Sequence, residues 1–575
     1  MGLFALLSSP FSGAQQTQIN KDLPVLERLN RASDKIDDIC RSSGVPGASI
    51  GVVHNGHQIH THSYGYRDVA KGSPTTSQSV FGIGSLTKSF VAAALAQLVD
   101  QEMILWDTPV RDVLPEFHHR NPIIEETLTV ADILSHRSGL AGLGDMNLAF
   151  QGDGDMLLPK SSLYHLVEQF PTLFPLRSDW NYLVWGYSLA GEIIEKLTGT
   201  DVPTYVQEHV LTPLGLNAST FDPDSVDPDR LAEPYAGLSD GTAFRLNKRQ
   251  VFKDTFFEAS GGMYSNLDDL IKWSKALLQE MKPETKSKHE TIKQIESLIS
   301  NHAPIANPSL RERSYAYGWA RTQLPNVVGF IGDNVDLWED VRDHPLLGSQ
   351  DQPLFMIYHQ GSTVGYYTFV ALFPDTQSAV VVLINSIAIS DAADWIARLM
   401  IQALFDLHDG QDYVALSKEG NRRAIKEFEV LAEKISAKRY TCQDMPLSDL
   451  RSFIGRYQHT DRPFHIDILA HPSNDSKLIF QFQGLKDQTY ELRHLCGYEF
   501  EWALTHDESK KRGRYNNAEL EAYLFKFNMS EDGDTAVSFS WATDPVLPER
   551  KDVFLKSKER HLGLQDQNDQ VVVGP

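Results

Sequence analysis

FGIGSLTKSFVAAALAQLVDQ, residues 81–101, decides how this chain is read. The run from Phe90 to Leu98 is apolar on nearly all sides, which marks a buried helix. Ser85 and Lys88 stand three apart at its head, and residues three apart share one helix face. A serine hydroxyl is a poor nucleophile at neutral pH and needs a base within hydrogen-bond reach. Burial disfavours an ammonium, so it turns Lys88 into a usable base. The positive end of the helix favours a developing alkoxide at Ser85. Gly82 and Gly84 allow a tight entry into the helix. A lone Ser-x-x-Lys arises by chance in a chain of this length, so the surrounding sequence has to carry the rest.

Downstream come Leu134-Ser-His-Arg-Ser-Gly-Leu140 and Asn181-Tyr-Leu-Val-Trp-Gly-Tyr-Ser-Leu-Ala-Gly-Glu-Ile-Ile-Glu195. Pro213-Leu-Gly-Leu216, Gly261-Gly-Met-Tyr-Ser265, His359-Gln-Gly-Ser362 and Phe373-Pro-Asp375 follow. This ordered set resembles the serine β-lactamase and penicillin-binding-protein superfamily, in its class C β-lactamase, esterase, D-aminopeptidase and acyltransferase branch. The resemblance runs from about residue 28 to about residue 405. It implies an α+β fold: an antiparallel sheet flanked by helices, plus a helical lobe, with the site in the cleft between them.

The resemblance makes Ser85, Lys88 and Tyr182 the catalytic residues, with Tyr182 as base and acid at the serine. A cationic lysine beside a phenol favours its phenolate, so a proton relay through Tyr182, Lys88 and Ser85 is expected. The family pattern at Tyr182 is Tyr-x-Asn, and its asparagine donates to the acyl-side amide of the substrate. Val184 stands there instead and cannot donate. His359-Gln360-Gly361 occupies the place of the β-lactamase Lys-Thr-Gly, on a strand expected over 354–359 with a hairpin partner over 366–373. By resemblance His359, Gly361 and Ser362 line the substrate, and the amides of Ser85 and Ser362 form the oxyanion hole. Such donors are worth about a hundred- to a thousandfold each in rate. Histidine is largely neutral at pH 7, whereas lysine is a fixed cation. Both departures point away from carboxylate-bearing β-lactams.

Ala48–Val53 and Gln58–Ser63 flank Asn55-Gly56, the signal of a type I′ hairpin. Two polar inserts, about 281–312 and 324–352, read as surface loops, the second leading into the His359 strand. Residues 417–438 form a charged amphipathic helix in which Ile425, Phe428, Leu431 and Ile435 share a face. After Pro446 the period changes to two: Phe464, Ile466 and Ile468 alternate with His465 and Asp467. Further short strands are expected over 478–482, 488–494, 498–504, 519–528, 535–542 and 552–556. Together they suggest a small antiparallel β-barrel. Phe453-Ile-Gly-Arg-Tyr457 resembles the opening of the lipocalin-like domain appended to some peptidases of the same superfamily. The expected organisation is a tail over 1–27, the catalytic domain over 28–412, a helical linker over 413–446, the barrel over 447–558 and a tail over 559–575.

At 575 residues the chain exceeds a single core. Its net charge of −23 argues against nucleic acid and anionic membrane as partners. No stretch is long and apolar enough to span a bilayer. Cys40, Cys442 and Cys496 are widely spaced and suggest neither a metal site nor a disulfide framework. The first residues, MGLFALLSSPFSGAQQ, lack a basic n-region and read as a flexible tail, which places the protein in the cytoplasm, with secretion as the alternative. The expected activity is serine hydrolysis through an acyl-enzyme at Ser85, on an ester, thioester or amide of a small molecule, with no cofactor and no metal. An acyltransferase or cyclase of small-metabolite biosynthesis would use the same site. Val184 leaves a third reading open, a catalytically inactive binding homologue. The oligomeric state is not legible.

Overall fold

Asn55 and Gly56 have φ of 51° and 77°, the two positive values that a type I′ turn requires. They join the strands Gly47–His54 and His57–Asp68 into the expected hairpin. The computed structural model describes residues 24–142, 156–247, 249, 252–282, 291–306, 309–340, 343–408, 410–442, 449–474, 477–544 and 547–557. Two units emerge. One holds the described residues up to Ala141 with Pro159–Phe428 and His506–Asn516; the other is built mainly from Glu429–Thr505 and the described residues from Asn517 onward.

The first unit carries a nine-stranded sheet. From edge to edge the strands are Ser73–Pro74, His57–Asp68, Gly47–His54, Ser378–Ile384, Tyr366–Phe373, Leu354–Thr363, Ala320–Leu324, Arg313–Tyr315 and Ala303–Pro304. Neighbours pair antiparallel, and the N-terminal strand lies against the last, with Ile50 opposite Val382 and Val52 opposite Val380. Those alternate residues face the helices Val25–Ser42 and Ala392–Phe405, whose Leu29, Ile36, Trp395 and Leu399 complete a fully buried core. The opposite face meets helix Leu267–Glu280: a Cβ at Gly51 would stand 2.9 Å from Leu267. Mixed helix and antiparallel sheet, as expected, thus make up the first unit. The first helix begins at Val25, a little before the expected boundary at 28. The insert over 324–352 is a correction. It is no solvated loop, because Val328, Asn334, Leu337, Trp338 and Leu347 are buried. Among the described residues no helix is long and apolar enough to cross a membrane.

The second unit is a closed eight-stranded antiparallel barrel of Gly455–His459, His465–Ala470, Leu478–Phe482, Thr489–Cys496, Glu499–Glu501, Leu524–Met529, Ala536–Trp541 and Asp552–Lys556. Pairing of Tyr457 with Lys556 closes it. Aliphatic Ile466, Ile468, Leu478 and Leu492 are buried there with a cluster of rings, in which Phe480 touches Phe482, Tyr490, Trp502 and Phe525 with centroids 5.0–5.5 Å apart. Phe539 stacks on Phe554 at 4.8 Å. The barrel interior is therefore packed with side chains. Two findings correct the sequence reading. Cys442 and Cys496 form a disulfide across 54 residues of sequence, tying the end of helix Tyr413–Thr441 to a barrel strand. The span expected for the barrel is interrupted, because the helix His506–Lys511 and the residues after it to Asn516 belong to the first unit. The expected tails over 1–23 and 558–575 lie outside the described residues.

Candidate active site

The strand Val80–Gly82 pairs with Tyr264–Asn266 and delivers the chain into a 3-10 turn, Gly84–Leu86, ahead of helix Thr87–Asp100. Ser85 therefore sits in the turn and Lys88 in the first helical turn, a tighter entry than a continuous α-helix. Gly84 has φ of +49°, and a Cβ there would lie 2.4 Å from the carbonyl oxygen of Ser362. A Cβ at Gly361 would lie 2.0 Å from the Ile83 carbonyl oxygen. Only two glycines let these backbones meet. The Leu354–Thr363 strand pairs with Ala320–Leu324 no further than Tyr358. Beyond it, the free edge at His359–Ser362 faces the Ser85 turn instead.

Lys88 is fully buried. Its Nζ stands 2.9 Å from Ser85 Oγ and donates to the Ser260 carbonyl at 2.7 Å. It also lies over the rings of Tyr182 at 5.2 Å and Tyr187 at 5.6 Å. Burial holds its pKa well below the usual lysine value. A neutral amine at this distance accepts the serine proton.

Tyr182 completes the trio, but with the opposite electrostatics from those expected. Burial pushes its phenol up, and the neighbouring Ser85 offsets this only in part. Its hydroxyl is buried and has the Ser85 hydroxyl as its hydrogen-bonding neighbour. Burial thus favours the protonated phenol at Tyr182, and the neutral amine at Lys88. Val184 caps helix Trp185–Thr198 two residues later, half-buried, and presents only hydrocarbon.

His359 is buried, with both ring nitrogens engaged. Its Nδ1 lies 2.5 Å from the Gln360 carbonyl oxygen, which can only accept, so the proton sits on Nδ1. Nε2 then accepts from the Tyr315 hydroxyl at 2.8 Å. Burial first, and then Lys88, lower its pKa to about 3. His359 is a neutral wall behind the trio and presents no cation to a substrate. Ser362, by contrast, is exposed on the strand edge.

Two residues absent from the sequence candidates join the site. His136, in the quoted Leu134–Leu140 segment, packs on Tyr182 and Tyr315 with ring centroids 4.5 and 4.6 Å apart. Its Nδ1 accepts from the Leu183 amide at 3.2 Å and its carbonyl from the Asn181 amide at 2.9 Å, so it holds the backbone on both sides of Tyr182. The motif was the available signal. Tyr515 has no such signal: it arrives on the His506–Asn516 segment and hydrogen-bonds at Ser362. The segment is anchored within the unit by Lys510 Nζ donating to the Ala388 carbonyl at 3.0 Å and Asn516 Nδ2 to the Ile389 carbonyl at 3.2 Å. Among the described residues no group of three or more His, Cys, Asp or Glu could hold a metal ion.

A family model described as Beta-lactamase matches residues 30–402. Unguisins hydrolase ungD' of Aspergillus campestris (strain IBT 28561) is 27% identical over 357 residues, covering 60% of this chain and 59% of its own length. Penicillin-binding protein 4 of Amycolatopsis lactamdurans is 32% identical over 204 residues, covering 36% of this chain and 52% of its own. The chain thus spans less than two thirds of either relative. The solved octameric penicillin-binding protein homologue from Pyrococcus abyssi aligns over 92% of this chain and 100% of its own, with a TM-score of 0.53 and 20% identity, a likeness of fold.

Proposed function

The chain belongs to the beta-lactamase family, and we propose that it is a serine hydrolase working through an acyl-enzyme at Ser85 on an ester, thioester or amide of a small molecule. The observation that carries this reading is the 2.9 Å approach of the buried Lys88 amine to the Ser85 hydroxyl. Neutral Lys88 takes the proton from Ser85 Oγ as the oxygen bonds to the substrate carbonyl carbon. The oxyanion that forms lies at the strand edge, where the amides of Ser85 and Ser362 would receive it. The proton returns through the Tyr182 phenol to the leaving group, and the carbon–leaving-group bond breaks. Water then adds to the acyl carbon, gives its proton to Lys88, and releases the acid and the Ser85 hydroxyl. Another acceptor entering at this step would make the same site an acyltransferase or cyclase; the word hydrolase in the name of the Aspergillus relative favours water. The intact Ser85–Lys88 contact disfavours an inactive scaffold.

The substrate partner is a small acyl compound. The Cys442–Cys496 bond favours an oxidising compartment over the cytoplasm. The test of the reading is intact mass spectrometry after a fluorophosphonate or p-nitrophenyl ester, in wild type and Ser85→Ala. One adduct per chain, lost in Ser85→Ala, is expected. Labelling that survives the substitution would overturn it.

A further inference from the structure

Just past helix Val130–Leu134 the chain turns at His136 with φ of +58°, a left-handed conformation uncommon outside glycine. Histidine and asparagine are among the few other residues that adopt it readily. The loop around His136 is anchored on both sides. Arg137 and Arg177 each pair with the buried Asp132 at 2.7 Å. The Arg177 amide donates to the Arg137 carbonyl at 2.8 Å, and Asn181 Nδ2 to the Leu140 carbonyl at 3.0 Å. The segment that leads into Tyr182 is thereby stitched to the segment that carries His136.

Tyr182 needs such a support. Among the described residues its hydroxyl has Ser85 alone as a hydrogen-bonding neighbour, and Ser85 Oγ is the atom it must serve. The aim of the phenol is therefore set by its backbone and by the rings around it. His136 reaches both. Among the described residues its ring is the nearest of four around Tyr182, at 4.5 Å between centroids, against 6.2 Å for Trp180 and Tyr315 and 6.3 Å for His359. Its carbonyl accepts from the Asn181 amide and its Nδ1 from the Leu183 amide. One residue thus pins the chain immediately before and immediately after the tyrosine. An accepting Nδ1 places the ring proton on Nε2. That nitrogen is buried without a hydrogen-bond partner among the described residues, a cost that a hydrocarbon side chain would not carry. Burial, and then Lys88, hold the histidine pKa well below its usual value. The ring therefore brings no second cation beside the amine that must be neutral to act.

We propose that His136 is a positioning residue for acylation, which aims the Tyr182 phenol at Ser85 Oγ by clamping the backbone on both sides of the tyrosine and packing on its ring. It touches no reacting atom and acts through Tyr182. The proposal rests on the reading of Ser85 as the acylated residue.

The experiment is a double-variant cycle. His136→Asn and His136→Ala are each made in wild type and in Tyr182→Phe, and each protein is checked for folding by circular dichroism. Asparagine keeps the left-handed backbone and an acceptor for the Leu183 amide but loses the ring; alanine loses all of these. The readout is the acylation rate constant at saturating p-nitrophenyl butyrate, by stopped flow or, for slow variants, by growth of the Ser85 adduct in intact mass. Displacing a reacting group by about 1 Å costs about a hundredfold. Acylation is therefore expected to fall about tenfold in His136→Asn and about a hundredfold in His136→Ala. The half-saturating ester concentration should stay the same, because no substrate contact is lost. In the Tyr182→Phe protein either change should matter less than about threefold, since no hydroxyl remains to be aimed. Losses as large in that background as in wild type would assign His136 to general support of the fold and overturn the proposal. A wild-type rate in His136→Ala would overturn it too. Either result with a Ser85 adduct in wild type overturns the proposal alone. No adduct in wild type overturns the Ser85 reading and the proposal with it.

Discussion

The Tyr315 hydroxyl donates to Nε2 of His359 at 2.8 Å, and this bond, with the Gln360 carbonyl on Nδ1, leaves the imidazole no free nitrogen. Burial, and then Lys88, lower its pKa to about 3, which keeps the ring neutral at pH 7. The position that carries a lysine in β-lactamases therefore offers a substrate carboxylate nothing. Val184 likewise offers an acyl-side amide no donor.

Substrate selectivity follows. Nitrocefin should be turned over less efficiently, by kcat/KM, than a p-nitrophenyl ester. Val184→Asn should raise nitrocefin relative to the ester by about tenfold, the order of one hydrogen bond to a polar group. Efficient nitrocefin hydrolysis by the wild type, above the ester, would restore a β-lactamase assignment.

Lys88 and Tyr182 face one serine from two sides, so their losses should overlap. Either Lys88→Ala or Tyr182→Phe should slow acylation about a hundred- to ten-thousandfold. The double variant should be little worse than the poorer single one, because groups acting as a unit are not additive. Stopped-flow release of p-nitrophenol measures this; fully additive losses would mean that they act separately.

Burial of Lys88 should also cost stability. Its folded pKa is depressed, so between that value and the unfolded value near 10.5 the unfolded chain binds the extra proton. The penalty is therefore present at neutral pH and fades as pH rises toward 10.5. Lys88→Met should stabilise the first unit by about 1–3 kcal/mol at pH 7 while slowing acylation as much as Lys88→Ala. Urea unfolding at pH 7 and pH 10 reads both signs; a variant less stable than wild type at pH 7 would refute the trade-off.

Gly361→Ala probes the backbone junction without touching a reacting side chain. The added methyl would meet the Ile83 carbonyl and must part the strand edge from the Ser85 turn. Acylation should fall a hundredfold or more, comparable to losing an oxyanion donor, with the far-ultraviolet spectrum unchanged. Activity within threefold of wild type would show that the junction is not needed.

What the sequence determined by itself was local. Ser85 and Lys88 meet because three residues make one helical turn, and Lys88 Nζ reaches Ser85 Oγ within that turn. Asn55-Gly56 sets its hairpin through its own φ angles. Alternation over Phe464–Ile468 and Leu478–Phe482 marks barrel strands because side chains leave a strand on alternate faces. The tertiary structure alone decided what depends on distant segments. The sign of the Tyr182 shift is one case: the lysine beside it suggested a phenolate, but desolvation by the packed neighbours outweighs the hydrogen bond with Ser85 and pushes the phenol up. Burial of the 324–352 insert, the Cys442–Cys496 bond and the arrival of Tyr515 at Ser362 are others. Periodicity records how a residue stands within its own element. It carries no record of which remote element folds back upon it, and that packing sets both solvation and charge at the site.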